Sequence, residues 1–453
     1  MLLAGAVLKD RPAKLRLGGS YHDRARDGLF SAVSIFFAPF LRFHAEGVQN
    51  FFCGGFMAGI HNQSIIVQAK KKRKGGGLMK RLQFQTMLIF GEEPMDYLRR
   101  WQNRRVLVIC DPFMVSSRMV DAVIGPLAGN EVRIFSEIVP DPPVDVVVKG
   151  VQVLREFQPE AVIAFGGGSA MDAAKAIRHF AGELDGHRTE FVAIPTTSGT
   201  GSEVTSFAVI TDKEKGVKYP LVSEALLPDT AILDSALVRS VPRPVVADTG
   251  MDVLTHALEA YVSTKANDFT DALAEKAVCL IFDYLLRSYL NAEDREAKEK
   301  VHHASTLAGM AFNETSLGLN HALAHVIGGQ LGVAHGRANA MLMPHVITYN
   351  ADLQGFGQGE YSKAAEKYAH VARLAGLGGS TVRISVRNLI NAIVRLQKQM
   401  EMPVRLSGCQ LKRELTAETK VHIAELALLD QCLATNPRQA ELNDVLRVLQ
   451  QIG

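Results

Sequence analysis

The sequence predicts an α/β N-terminal domain built on a Rossmann-like parallel sheet, followed by an all-α C-terminal domain. Three observations carry this. The chain has 453 residues, more than one ordinary core organises, so two domains are expected. From Arg105 onward, short apolar runs alternate with helix-spaced segments. After Pro242, helix-spaced segments dominate.

Taken in order, Val106–Cys110 (VLVIC) is a short apolar run ending at Asp111 and reads as a buried strand. Val132–Phe135 is a second candidate strand, and Val146–Phe157 has helical spacing. Ala161–Phe165 (AVIAF) is a strong strand that breaks at Gly166-Gly167-Gly168, with a helical run from Ser169 to Phe180 behind it. Phe191–Ile194 is a further strand, ending at Pro195. Pro242 and Pro244 punctuate the change of character, and we place the boundary there, giving domains of 79–242 and 243–453. Helices are expected at 244–263, 269–290, 296–312, 318–330, 361–375, 382–399 and 418–434.

Composition narrows the function. An apolar share of 47% and a charged share of 21% fit a soluble globular enzyme. A net charge of +3 is too small for a nucleic-acid binder, and no apolar run reaches the roughly 20 residues of a membrane span. The five cysteines are scattered, with no C-x-x-C pair. That pattern argues against a disulfide framework or a zinc ribbon and fits a reducing, cytoplasmic setting.

Residues 1–78 differ in kind, with 12 Lys and Arg against 4 Asp and Glu. The run from Lys70 to Gly77 (KKKRKGGG) can be encoded by purines alone and stands just before Met79, as a ribosome-binding site would. We read Met79 as the start and 1–78 as a gene-model artefact, the alternatives being a disordered basic tail or a mildly amphipathic targeting helix.

Two loops suit a dinucleotide. The glycine turn before the helical run lets the backbone approach a pyrophosphate, which the free amides and dipole of a helix start favour. Ser169 can cap that helix, and Asp172 sits in its first turn. The match to G-x-G-x-x-G is incomplete, since Met171 takes the third glycine's place. The second loop, Pro195 to Glu203, is rich in hydroxyls and glycine and also follows a strand. Two such loops at neighbouring strand ends mark the sheet edge where α/β folds bind ligands. Asp111 ends the first strong strand, where an acid can bind ribose hydroxyls and repel a 2′-phosphate, or simply turn the chain.

The helical half carries a metal-ligand pattern. Asp252 and His256 are spaced i, i+4, as are His321 and His325, and His335 follows. Carboxylate with imidazole suits Fe²⁺, Zn²⁺ or Mn²⁺. Glu259 shares the face of His256, either holding a ligand from behind or facing solvent.

GGGSAMDAAKA, AIPTTSGTGSE, TGMDVLTHALEAY and LNHALAHVIGGQLGVAHGRANAMLMPHV together resemble the iron-dependent (group III) alcohol dehydrogenases, over about 79–453. The narrower similarity is to members that interconvert propanal and 1-propanol in bacterial propanediol-utilisation microcompartments. The resemblance implies the dehydroquinate synthase-like architecture of that family. It implies Asp252, His256, His321 and His335 as ligands of Fe²⁺, or of Zn²⁺, and His325 as a non-ligand histidine near nicotinamide and substrate. It implies NAD as coenzyme, held by Gly167, Gly168, Ser169, Asp172, Thr196, Thr197 and Lys218, with Asp111 setting the preference. A homodimer acting on a short-chain aldehyde or alcohol is implied too, as is company with shell or cargo proteins of a microcompartment. We read His325 as the proton relay, since histidine titrates near neutrality. Phe207, Val209 and Phe312 are read as pocket walls, the alternative for each being plain core packing. Three other readings are weighed: a lyase of the dehydroquinate synthase type, a non-catalytic metal-binding scaffold, and a simple metallohydrolase. The first needs more cations around 252–345 than the sequence offers, and the other two leave the loops unexplained.

Overall fold

The computed structural model describes residues 82–453 apart from 187, 214–216 and 354–359, so the expectation for residues 1–78 lies outside it. Residues 81–453 form one compact unit. The boundary at Pro242 therefore separates two architectures within one body.

The chain enters through strand β1 (Met87–Phe90) and runs into β2 (Arg105–Cys110), the short helices α1 (Pro112–Ser116) and α2 (Asp121–Ile124), and β3 (Glu131–Phe135). It continues through α3 (Val144–Phe157), β4 (Ala161–Gly166), α4 (Gly168–Asp185) and β5 (Glu190–Pro195). A hairpin, β6 (Phe207–Asp212) and β7 (Val217–Val222), precedes β8 (Thr230–Leu233). Six strands form a parallel sheet in the order β1-β8-β5-β4-β2-β3, and the antiparallel hairpin stands apart. Every residue of β4 is buried, as is every residue of β2 after Arg105. That is why these strands read as unbroken apolar runs, for a parallel sheet is covered on both faces. Each buried Val, Ile or Leu in them contributes about 1.5–3 kcal/mol of transfer free energy. β3 steps to one side of β2 and β4 to the other, so the sheet reverses direction there and opens a crevice beyond those strand ends.

The helical half comprises α5 (Arg243–Val262), α6 (Asp268–Leu290), α7 (Arg295–Thr315), α8 (Leu319–Leu331), α9 (His335–Ala351), α10 (Lys363–Leu374), α11 (Val382–Gln399), α12 (Ala417–Leu428) and α13 (Leu442–Ile452). From Gly250 to Val262 every residue of α5 is buried, so it runs through the middle of this half. Among the described residues, no helix is long and apolar enough to cross a membrane.

The loop after β5 joins the two architectures. His302, Thr306, Gly309 and Asn313 fall at i, i+4, i+7 and i+11 on α7 and so line one face of it. Ser198 Oγ hydrogen-bonds His302 Nδ1 (2.9 Å), and Thr306 Oγ1 donates to Glu203 Oε1 (2.7 Å). The Ser206 amide donates to Asn313 Oδ1 (2.7 Å). Between these bonds the backbones nearly touch: Gly201 has φ +60°, and a Cβ on it would stand 2.7 Å from Gly309 Cα. From the other side, buried Lys175 of α4 donates to Ser202 Oγ (2.8 Å), Thr205 O (2.8 Å) and Phe207 O (2.7 Å).

Gly186 also has a positive φ, yet nothing lies within 4 Å of a Cβ there. Gly201→Ala should therefore cost about 1–3 kcal/mol more than Gly186→Ala, because only the first adds a steric clash to the backbone strain. Urea unfolding of the two variants measures this, and equal costs would mean that the loop is not clamped.

Candidate metal centre and cofactor loops

Asp252, His256 and Glu259 occupy i, i+4 and i+7 of α5, so the helix repeat sets them on one face, and all three are buried. His321 lies in the first turn of α8, and His335 opens α9. Gly336 permits that meeting: a Cβ there would fall 2.0 Å from the Asp248 carbonyl oxygen on α5. Arg337 secures the same crossing with hydrogen bonds of 3.2 and 3.0 Å to the two Asp248 oxygens.

Asp252 Oδ1 stands 3.7 Å from His321 Nε2 and 3.5 Å from His335 Nε2. The ligand atoms of these three residues all lie within 4.8 Å of one another. His256 stands beside them, its ring stacked on His321 at 4.5 Å and on Phe312 at 4.5 Å. Its Nδ1 is buried without a hydrogen-bond partner. Burial holds His256 down at about 3, so the imidazole is neutral, the form that binds a metal.

Glu259 decides between the two readings of it, because it is buried and turned toward the ligands. Its Oε2 accepts from His321 Nδ1 at 2.5 Å, and its Oε1 accepts the Asn320 amide at 2.7 Å. The first bond places one proton on Nδ1 and turns Nε2 toward Asp252, where it holds either a second proton or a metal. Burial alone would lower His321, but the Asp252 and Glu259 carboxylates raise it to about 9. A cation bound here takes that proton's place.

Asn339, which the sequence reading missed, adds a further sign. Its amide nitrogen lies 2.6 Å from Asp252 Oδ1 and 3.1 Å from both His321 Nε2 and His335 Nε2. Three potential ligand atoms thus converge on one small amide nitrogen, although an NH₂ has only two hydrogens. A convergent oxygen-and-imidazole set of this kind fits a divalent transition metal. The one advance signal for Asn339 was its i+4 spacing from His335.

His325 is more exposed than the other site histidines. Its ring stacks on His335 with centroids 5.3 Å apart and planes 14° apart. Phe312, one of the residues read as pocket wall, lies against His256. Phe207 and Val209 lie on β6, where the Phe207 carbonyl accepts from Lys175 and the Val209 amide donates to Asp172 Oδ2 (3.0 Å).

Of the residues expected to hold a cofactor, Asp111, Gly167, Gly168, Ser169, Asp172, Thr196 and Thr197 follow the ends of β2, β4 and β5, whereas Lys218 lies on β7 of the separate hairpin. Gly166 closes β4 with φ +148°, a conformation open to glycine, and its carbonyl accepts the Thr196 amide at 2.9 Å. The glycine turn and the hydroxyl loop therefore lie side by side, and Thr197 Oγ1 would be 3.3 Å from a Cβ on Gly167. Helix α4 begins at Gly168 with Gly167 as its N-cap and no side-chain cap. Ser169 therefore does not cap it, because it stands one residue inside the first turn. The Ala170 amide already donates to the Gly167 carbonyl (3.0 Å), which leaves the amides of Gly168 and Ser169 at the start of α4 to suit a pyrophosphate. Asp172 points into the protein, accepting from Ser202 Oγ (2.9 Å) as well as from Val209. Lys218 pairs with Asp141 at 2.6 Å. Asp111 does two things: its Oδ1 caps α1 through the amides of Phe113 (2.9 Å) and Met114 (3.2 Å), while Oδ2 lies toward Gly166.

Both halves of the chain are similar to known proteins. Residues 86–235 match the family model of iron-containing alcohol dehydrogenases, and residues 246–453 match that of the family's C-terminal part. The chain is 45% identical to the 1-propanol dehydrogenase PduQ of Citrobacter freundii over 377 residues, covering 83% of this chain and 100% of that protein. It is 37% identical to an NADPH-dependent butanol dehydrogenase of Clostridium saccharobutylicum, covering 80% of this chain and 95% of the relative. Among solved structures, a 1,3-propanediol oxidoreductase superposes with a TM-score of 0.74 at 32% identity, over 83% of this chain and 100% of the other.

If Glu259 fixes the His321 tautomer, Glu259→Gln should weaken metal binding by roughly 10–100-fold, as loss of such an outer partner commonly does. Competition with a chelator of known affinity reads this directly, and unchanged affinity would remove Glu259 from the account.

Proposed function

The chain belongs to the iron-containing alcohol dehydrogenase family and is an oxidoreductase, and from that premise we propose that it interconverts a short-chain aldehyde, best propanal, and its primary alcohol with NAD(H). The carrying observation is the convergence of Asp252, His321 and His335 ligand atoms, with neutral His256 alongside.

In this reading Asp252, His256, His321 and His335 would hold the divalent metal, which when bound would supply Lewis-acid stabilisation of the substrate oxygen. A nicotinamide coenzyme held at the strand ends would supply or accept the hydride. The protein's own part is to bind, orient and move a proton. The opening amides of α4 and the hydroxyls of Thr196 and Thr197 take the pyrophosphate side of the coenzyme. Asp172 and Lys175 hold the hydroxyl loop from behind by way of Ser202. Glu259 keeps His321 Nε2 available to the metal. His325 passes a proton to the oxygen as aldehyde becomes alcohol and takes it back in the reverse direction. Phe312 against His256 gives the site an apolar wall, which suits a short alkyl chain better than a diol.

The coenzyme choice rests on Asp111, since one relative is named NADPH-dependent and the family likeness alone leaves the choice open. A carboxylate there repels a 2′-phosphate. Asp111→Ser keeps an oxygen to cap α1 and removes the charge. It should raise kcat/KM with NADPH by at least about tenfold, or 1.4 kcal/mol, relative to NADH. Unchanged preference would place the determinant elsewhere.

The reaction itself is tested by anaerobic NADH oxidation with propanal, on protein stripped of metal and reloaded with Fe²⁺ or Zn²⁺. Turnover that returns only with metal supports the proposal. Metal and NADH bound without turnover on any short aldehyde would overturn it. His325→Ala should keep the metal and lose turnover.

A further inference from the structure

A second cluster lies next to the first. His325, Asp430 and Cys432 bring their side-chain donor atoms within 4.8 Å of one another. Asp430 comes from the turn after α12, 105 residues from His325, and it belongs to none of the motifs that marked the site. Its two carboxylate oxygens have separate duties. Oδ1 accepts the Cys432 amide at 2.8 Å and thereby caps the short 3-10 turn Gln431–Thr435. Oδ2 accepts from His325 Nδ1 at 2.8 Å.

We propose that Asp430 is the positioning residue of His325: it takes the Nδ1 proton, fixes the ring beside His335, and leaves Nε2 as the one nitrogen that exchanges protons with the substrate oxygen. This deepens the relay reading of His325 and rests on it. Capping the 3-10 turn would require only one oxygen, and the second is committed to a ring that stacks on His335 at 5.3 Å. Burial alone would raise the Asp430 carboxyl, but its bonds to His325 and to the Cys432 amide hold it at about 2. As a carboxylate it can only accept, so Nδ1 must carry the hydrogen. The proton balance then closes on Nε2. In aldehyde reduction the imidazolium gives its Nε2 proton to the alkoxide oxygen and becomes the neutral Nδ1–H tautomer. In alcohol oxidation that neutral ring takes the hydroxyl proton back on Nε2.

The geometry supplies a sharp test. In Asp430→Asn the amide oxygen is needed by the Cys432 N–H, which turns the NH₂ toward His325. A donor there forces the hydrogen onto Nε2, the wrong tautomer, while the shape is kept. The expected result for the metal-loaded enzyme is a fall in kcat of at least about tenfold, with aldehyde KM, metal content and NADH affinity within about twofold of the parent. Asp430→Glu, which keeps a carboxylate, should recover part of the loss. In a His325→Ala background, Asp430→Asn should cost nothing further, because a residue acting only through His325 has nothing left to position.

The outcomes separate. Lost turnover in His325→Ala together with normal turnover in Asp430→Asn would overturn this inference and leave the relay standing. Normal turnover in His325→Ala would overturn the relay, and this inference with it. Loss of metal in Asp430→Asn would show that the residue supports the metal centre rather than the relay, and would also overturn the inference.

Discussion

One buried carboxylate holds the site together. Glu259, on the central helix α5, accepts hydrogen bonds from the backbone of Asn320 and from the ring of His321. The first bond satisfies an amide at the start of α8, where the helix has no acceptor of its own and its N-cap, Gly318, has no side chain to offer. The second sets which nitrogen of His321 faces Asp252. One side chain thus fixes where α8 begins, how it meets α5 and which tautomer its first histidine adopts. Removing a partner from such a buried arrangement leaves a charge uncompensated, at a cost of about 3–5 kcal/mol. The close crossing of α9 over α5 at Gly336 then brings His335 and Asn339 to the same point.

The other half of the chemistry depends on the loop after β5. It is clamped by one face of α7 and by the buried ammonium of Lys175. The loop carries Thr196 and Thr197, which we propose face the coenzyme, and its Gly201 touches the helix that also bears Phe312. Phe312 in turn stacks on His256. The proposed coenzyme loop and the proposed metal centre are therefore set against each other through one helix, α7. A hydride transfer needs that precision, because small misplacements of the reacting groups cost rate steeply.

What was legible in the sequence was what is local. The strands β2, β4 and β5 show as apolar runs because both faces of the sheet are covered. The pairs Asp252/His256 and His321/His325 show because helical spacing is a local property. β1 and β8, four residues each, were too short to stand out. Helix α9 was hidden by Gly336 and by Pro344, which it accommodates internally. Glu259 was visible as a candidate, but its direction was not, since burial and its partner 62 residues away decide it. Lys175, Asn339 and Asp430 were missed for the same reason: each acts on a residue that only the folded chain brings near. Ser169 was misjudged as a cap because the helix starts two residues earlier than that cap would set it, with Gly167 as the N-cap.

The central claim is that Asp252, His256, His321 and His335 form the metal centre. Anomalous diffraction at the iron edge, on crystals grown anaerobically with Fe²⁺, tests it most directly. The account predicts a single strong peak among those four side chains, with His325 still bonded to Asp430. A peak at the neighbouring His325, Asp430 and Cys432 cluster instead would contradict it, since His325 would then be a ligand and could not serve as the relay.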